Sequence, residues 1–277
     1  MSGWSPSVYA RTTRPSGGGT IRAHDTEGGV VDGPVWAIVL AGGSARRFGA
    51  RPKQFELVGG LRMVDHTVAA ARRTCDGIAL VLPPGRVWDG EPVDTLAEGG
   101  DHQSESLRAG LATLPADARI AVVADPAHPL ASDALFRGVI DAVRRGADGA
   151  VPVIPILEVV QRVEEGRVLD TVPKNDLVLT QSPHAFRVDV LRELHASRPR
   201  PVENSSLFVA HGFRVDAVPG EPDNVHVTTP AELEMVRRLT HGRFARDTRP
   251  ALRNDLEPTR SPITHGGAPD TSEGHAS

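Results

Sequence analysis

Four short, mainly apolar runs at Val35–Leu40, Gly77–Leu82, Arg119–Ala124 and Asp148–Ile154 alternate with stretches of helical spacing at Met63–Arg73, Ser104–Leu114 and Ser132–Arg145. This alternation constrains the chain more than any other feature. The runs are continuous and do not alternate apolar with polar, so each strand is covered on both faces, as in a parallel sheet. Strand, helix, strand in succession implies right-handed crossovers. The expected fold is α/β, a Rossmann-like, mainly parallel sheet with helices on both faces. In such sheets ligands sit beyond the carboxyl ends of the strands. The loop after Leu40 and the residue Asp125 both fall there.

The rhythm breaks at about 156–186. Two strand-like pieces, Glu158–Val163 and Arg167–Val172, are joined by Glu164-Glu165-Gly166, which suits a hairpin projecting from the sheet as an arm. Val225–Thr228 reads as a further short strand, and Pro230 opens a helix to about Thr240 with Thr229 as its N-cap. Residues 1–33 and 245–277 are rich in small and polar residues without an apolar period, so both ends are expected to be disordered tails flanking a working domain at 34–244. No internal repeat is visible.

The formal net charge of −4 gives no basic field of the kind nucleic acid requires. A single cysteine, Cys75, excludes a disulfide framework or a cysteine-based zinc site within one chain. Neither a signal peptide nor a long apolar span is apparent. The expectation is a cytoplasmic protein that works without nucleic acid or membrane.

The stretch from Ala37 to Phe55 reads AIVLAGGSARRFGARPKQF. Gly42-Gly43 alone suits an ordinary strand-to-helix turn equally well. The loop is neither a Walker A motif nor a G-x-G-x-x-G fingerprint. The cations that follow, Arg46, Arg47 and Lys53, favour an anion. Glycines let backbone N–H groups approach a phosphate, and cations neutralise charge on a transferring phosphoryl group.

The pattern A-G-G-x-x-x-R-x-x-x-x-x-P-K-Q resembles the signature of sugar-nucleotide pyrophosphorylases and related nucleotidyltransferases. Gly99 to Leu111 (GGDHQSESLRAGL) is similar to G-G-x-x-R-x-x-S-V-x-x-G-L of the methylerythritol phosphate cytidylyltransferases. Val123 to Pro129 (VADPAHP) resembles their V-H-D-A-A-R-P. Thr171 to Phe186 resembles T-V-D-R-x-x-L-W-x-x-Q-T-P-Q-x-F, and Asp223 to Pro230 resembles D-N-I-K-V-T-x-P. Five stretches in the right order identify a member of the erythritol and alditol phosphate cytidylyltransferases.

The resemblance implies transfer of CMP from CTP to a phosphorylated polyol, 2-C-methyl-D-erythritol 4-phosphate, with release of pyrophosphate, as a step of isoprenoid precursor synthesis. It implies that Ala41, Gly42 and Gly43 hold the triphosphate through backbone amides. It implies that Lys53 and an arginine of the loop, Arg47 or in the neighbouring register Arg46, stabilise the pentacoordinate phosphorus and the leaving pyrophosphate. Gly99, Gly100 and Ser106 face the cytosine. Asp125, then Asp223, would hold Mg2+, since magnesium takes one or two carboxylates plus phosphate oxygens. Arg162 and Thr171 on the arm, together with His226, would meet the acceptor. The arm would cross a homodimer to complete the partner's acceptor site.

The departures from the pattern cluster. The lysine of D-N-I-K is His226, the arginine of V-H-D-A-A-R-P is His128, and the arginine of G-G-x-x-R is Gln103. T-D-x-A-S is Val202-Glu203-Asn204-Ser205-Ser206, which replaces a threonine and an aspartate. The acceptor side has lost fixed positive charge, which a mostly neutral histidine does not restore. Three outcomes stay open: the same acceptor with compensating contacts, a different polyol or sugar phosphate, or a weakly active nucleotide-binding relative.

Overall fold

A computed structural model of the protein describes residues 29–43 and 52–247. Arg46 and Arg47 lie outside them, as do most of the two stretches expected to be tails. The first half builds β1 (Val35–Leu40), a 3-10 turn (Lys53–Phe55), the small hairpin β2 (Leu57–Val58) and β3 (Leu61–Arg62), α1 (Met63–Arg72), β4 (Gly77–Leu82), β5 (Thr95–Glu98) and α2 (Gln103–Ala112). It continues with β6 (Ile120–Ala124), α3 (Asp133–Arg144), β7 (Gly149–Pro155), the hairpin β8 (Val160–Glu164) and β9 (Arg167–Val172), and β10 (Val178–Thr180). β11 (His184–Arg187), α4 (Val188–Ala196), α5 (Asn204–Ala210), β12 (Val215–Pro219) and α6 (Pro230–Asp247) complete it.

The main sheet runs β10-β7-β11-β6-β1-β4-β5, and β12 pairs with β7 as a further neighbour. β6, β1, β4 and β5 are parallel to one another, as the continuous apolar runs require. β11 enters antiparallel between β6 and β7. The crossover through α3 therefore skips one strand position. Alternate residues of β1 feed opposite cores. Val35, Ala37 and Val39 pack with Val64 and Val68 of α1 and with Phe136, Val139 and Ile140 of α3. Ile38 and Leu40 pack with Leu107 and Leu111 of α2, Leu191 and Leu194 of α4, and Phe208 of α5. Helix α3 shows why the sequence folds this way. The Ser132 hydroxyl accepts from the Leu135 N–H to cap it, and Leu135, Phe136, Val139, Ile140 and Val143 form one buried stripe.

Two local expectations change. The hairpin connection is the pair Glu165-Gly166, both at positive φ (48° and 78°), the combination a tight two-residue turn of the right twist needs. Val225–Thr228 is not a strand. Its backbone makes a turn, Val225 N–H to Asp223 O, and a single bond from Val227 N–H to Ala127 O at 2.8 Å. Val227 is apolar because it is buried against Met63, Leu130, Leu233 and Val236, not because it joins a ladder. Helix α6 begins at Pro230 as expected. The Glu232 carboxylate accepts from the Thr229 N–H at 2.8 Å, and the Thr229 hydroxyl accepts in return from the Glu232 N–H. Among the described residues no helix is long and apolar enough to cross a membrane.

Candidate active site

A cavity of about 1190 Å³ opens beyond the carboxyl ends of β1, β4, β5 and β6. Gly42, Gly43, Lys53, Gly99, Gly100, Ser106 and Asp125 all line it. The sequence spreads these residues widely, and the parallel strands deliver them to one edge of the sheet. At the centre of the rim two backbones touch. A Cβ built on Gly99 would lie 2.8 Å from Ser106 Oγ and 3.1 Å from Gly42 Cα. Glycine is required there by close approach, not by dihedral angle. The Ser106 hydroxyl accepts from the Gly100 N–H at 3.2 Å and so fixes the second glycine pair.

The glycine loop differs from expectation in one respect. The Ala41 N–H donates to Val81 O at 2.9 Å, so it is consumed in the ladder with β4 and does not face a ligand. The Gly99 N–H is likewise given to Leu82 O at 2.7 Å. Any amide cradle in the described part of this loop rests on Gly42 and Gly43.

Gln54 is a further structural determinant of the loop. Its side chain is buried, and Nε2 donates to Ala41 O at 2.6 Å and to Gly43 O at 2.8 Å. Tying both carbonyls inward turns the loop's amide edge outward. The only signal in the sequence is the glutamine directly after Pro52-Lys53. Gln54→Leu leaves a buried carbonyl unpaired at a cost of about 1–3 kcal/mol. The expected result is a melting temperature lower by several degrees together with weaker nucleotide binding, measured by calorimetry. Unchanged values for both would show that the loop holds its shape unaided.

Lys53 begins the 3-10 turn, and its Nζ donates to Val227 O at 2.7 Å, joining the loop to the segment before α6. Asp125 caps the end of β6. Its N–H donates to Ser182 Oγ at 2.8 Å, and its Oδ1 accepts the Ala127 N–H at 2.8 Å. Asn224 Nδ2 donates to Ser182 O, and Gln181 Nε2 donates to Glu221 O and Asn224 O. The motifs at 181–183 and 223–228 thus act as one brace that positions Asp125. His226 Nε2 stands 3.9 Å from Asp125 Oδ2, and its ring stacks on His128 with centroids 4.5 Å apart and planes 9° from parallel. Burial, then the nearby His226, His184 and Lys53, push the His128 pKa down to about 3, so this imidazole is neutral at ordinary pH.

Asp223 is outside the group that Asp125 forms with His128 and His226. Arg162 and Thr171 lie on the β8–β9 hairpin, where Arg162 pairs across the strands with Asp170 at 3.6 Å. Val202 is 98 % exposed and makes no part of the cavity wall.

A mainly parallel sheet carrying a glycine-rimmed cavity, with a lysine and an aspartate at its strand ends, defines a nucleotidyltransferase-type α/β protein. The family model for 2-C-methyl-D-erythritol 4-phosphate cytidylyltransferase (IspD) matches residues 35–239. A 2-C-methyl-D-erythritol 4-phosphate cytidylyltransferase of Rubrobacter xylanophilus is 34% identical over 227 residues, covering 77% of this chain and 97% of that protein. A bifunctional enzyme IspD/IspF of Granulibacter bethesdensis is 36% identical over 211 residues, covering 73% of this chain and 55% of that protein. The chain therefore spans about half the length of the bifunctional relatives it matches. The crystal structure of the cytidylyltransferase from Thermus thermophilus superposes with a TM-score of 0.67 at 28% identity, covering 75% of this chain and 99% of that one. The chain belongs to the 2-C-methyl-D-erythritol 4-phosphate cytidylyltransferase family.

Proposed function

We propose that this protein transfers CMP from CTP to 2-C-methyl-D-erythritol 4-phosphate and releases pyrophosphate, a step in isoprenoid precursor synthesis. The carrying observation is the meeting of Gly42 and Gly99 at the rim of a cavity that also holds Lys53 and Asp125. In this reading an oxygen of the acceptor phosphate attacks the α-phosphorus of CTP. The bond from that phosphorus to the bridging oxygen breaks, and pyrophosphate leaves in line. Gly42 and Gly43 receive the triphosphate, while Gly99, Gly100 and Ser106 form the wall for the cytosine. Lys53, with Arg47 and Arg46 from the same loop, balances charge that grows on the phosphorus and the leaving group.

Magnesium accompanies a triphosphate mostly on phosphate oxygens and water and needs one or two carboxylates. Asp125, whose Oδ1 is already oriented by the Ala127 N–H, fits that need. Bound there, the ion would supply electrostatic stabilisation of the phosphate oxygens.

In this reading the working unit is residues 34–244, acting in the cytoplasm. A homodimer through the β8–β9 arm is supported by the apolar side chains the arm exposes, among them Val163, Val168 and Leu169. Arg162 and Thr171 would then serve the acceptor site of the other subunit. The test is pyrophosphate release from the purified chain with CTP, magnesium and 2-C-methyl-D-erythritol 4-phosphate, with other nucleotides and with ribitol 5-phosphate and glycerol 3-phosphate alongside. Turnover only with another acceptor would move the substrate. CTP binding without turnover on any acceptor would remove the catalytic reading.

A further inference from the structure

We propose that Asp125, His128 and His226 form a binding site for a transition-metal dication of the zinc or cobalt kind, at the β6 end of the cavity. One ligand atom from each residue lies within 4.8 Å of the other two. Metal–ligand bonds of 2.0–2.1 Å in a tetrahedral site place neighbouring donors about 3.3 Å apart. The gap from His226 Nε2 to Asp125 Oδ2 is 3.9 Å, so closure needs well under 1 Å on that edge (~0.6 Å). The His226 ring is half exposed, and coordination would turn it out of its stack on His128, whereas Asp125 is already set. Asp125 is fixed through its own N–H and Oδ1, which turns Oδ2 toward His226. His128 is buried, and its Nδ1 has no hydrogen-bond partner, a state that calls for an explanation in any folded protein.

The donor set decides the class of ion. Two imidazoles and one carboxylate suit borderline metals, whereas magnesium and calcium prefer oxygen alone, so with this site filled the magnesium of the triphosphate would rest on phosphate oxygens and water instead of on Asp125. Three protein ligands also leave a coordination position open, as in sites that bind substrate through the metal. Asp125 lines the cavity, so that position gives onto the nucleotide and acceptor space. The chain has no fixed cation at 128 or 226, and a dication held there supplies one for an acceptor phosphate oxygen. This role rests on the cytidylyl-transfer reading; the site itself rests only on the three residues.

The experiment uses the full chain, stripped with a chelator and titrated with Co2+ in the absence of nucleotide. One equivalent of Co2+ should bind with visible absorption bands, be displaced by Zn2+, and resist millimolar Mg2+. Asp125→Asn and His226→Ala should each weaken binding by at least about 10–100-fold, the loss that follows even from removing an outer partner of a metal ligand. Binding unchanged in His226→Ala would place the ion on other histidines and overturn the proposal, as would displacement by Mg2+. His226→Lys carries a fixed cation and no ligand. It should lose the Co2+ bands yet make the acceptor KM independent of added Zn2+. An acceptor KM in the wild type that ignores Zn2+ would confine the ion to a non-substrate role and overturn that half of the proposal. Metal binding without turnover would leave the site standing and remove the cytidylyl reading, and turnover without metal binding would do the reverse.

Discussion

Lys53→Ala is expected to lower kcat/KM for CMP transfer by about 10²–10³-fold while the protein stays folded, the loss typical of one removed donor to developing charge. The lysine lies on the cavity wall at the start of the 3-10 turn, and its ammonium is held by Val227 O at 2.7 Å. That bond gives Lys53 a second, structural task, worth about 1 kcal/mol on removal. The two tasks separate experimentally. Lys53→Met keeps the aliphatic stem and deletes the charge, so it should lose as much turnover as alanine with a smaller fall in melting temperature. Lys53→Arg keeps the charge in a planar fork that does not fit a point contact, and it should recover only part of the rate. Pyrophosphate release under single-turnover conditions reads the chemical step. A rate for Lys53→Ala within threefold of wild type would remove the lysine from the reaction and leave it as a brace.

The parallel half of the sheet was legible because each strand is a continuous apolar run, and β4 begins and ends where the run Gly77–Leu82 does. β5 is exposed or half-buried throughout and β12 buries only Val218, so neither shows such a run. β11 is four residues, too short for a period to register, and its antiparallel insertion between β6 and β7 is a tertiary decision. At the site, Gly42, Gly99, Lys53 and Asp125 could be read because each sits in a short stretch with a chemical pattern. Ala41 looks equivalent to its glycine neighbours in the sequence, yet its amide is consumed by Val81 O, a matter of strand register. His128 and His226 stood out only as departures. They stack across segments distant in the chain, and Asn224, two residues before His226, is tied to Gln181 and Ser182.

Gly99→Ala should weaken CTP binding by about 5–150-fold, the equivalent of the 1–3 kcal/mol that overpacking costs, whereas Gly43→Ala should change it less than threefold. Both glycines line the same cavity, so the contrast tests the contact and not the proximity. A methyl on Gly99 meets Ser106 Oγ at 2.8 Å, Gly42 Cα at 3.1 Å and Leu82 O at 3.4 Å. The hydroxyl could turn away, but it is buried and holds the Gly100 N–H. The Gly42 and Leu82 atoms are backbone: Leu82 lies in the β4–β5 ladder and its O already accepts the Gly99 N–H, and Gly42 directly follows Ala41, whose N–H is held by Val81 O. Relief therefore requires the two loops to part, which widens the rim at the point where base and triphosphate would meet. A methyl on Gly43 meets no described atom within 4 Å. Adding Ser106→Ala to Gly99→Ala distinguishes the two obstacles. Measured against Ser106→Ala alone, disappearance of the Gly99→Ala effect would assign the clash to the hydroxyl, and its persistence would assign it to the backbone of Gly42. Equal CTP affinity in Gly99→Ala and wild type, by titration calorimetry, would place the nucleotide away from this rim and with it the whole assignment of the glycine loop.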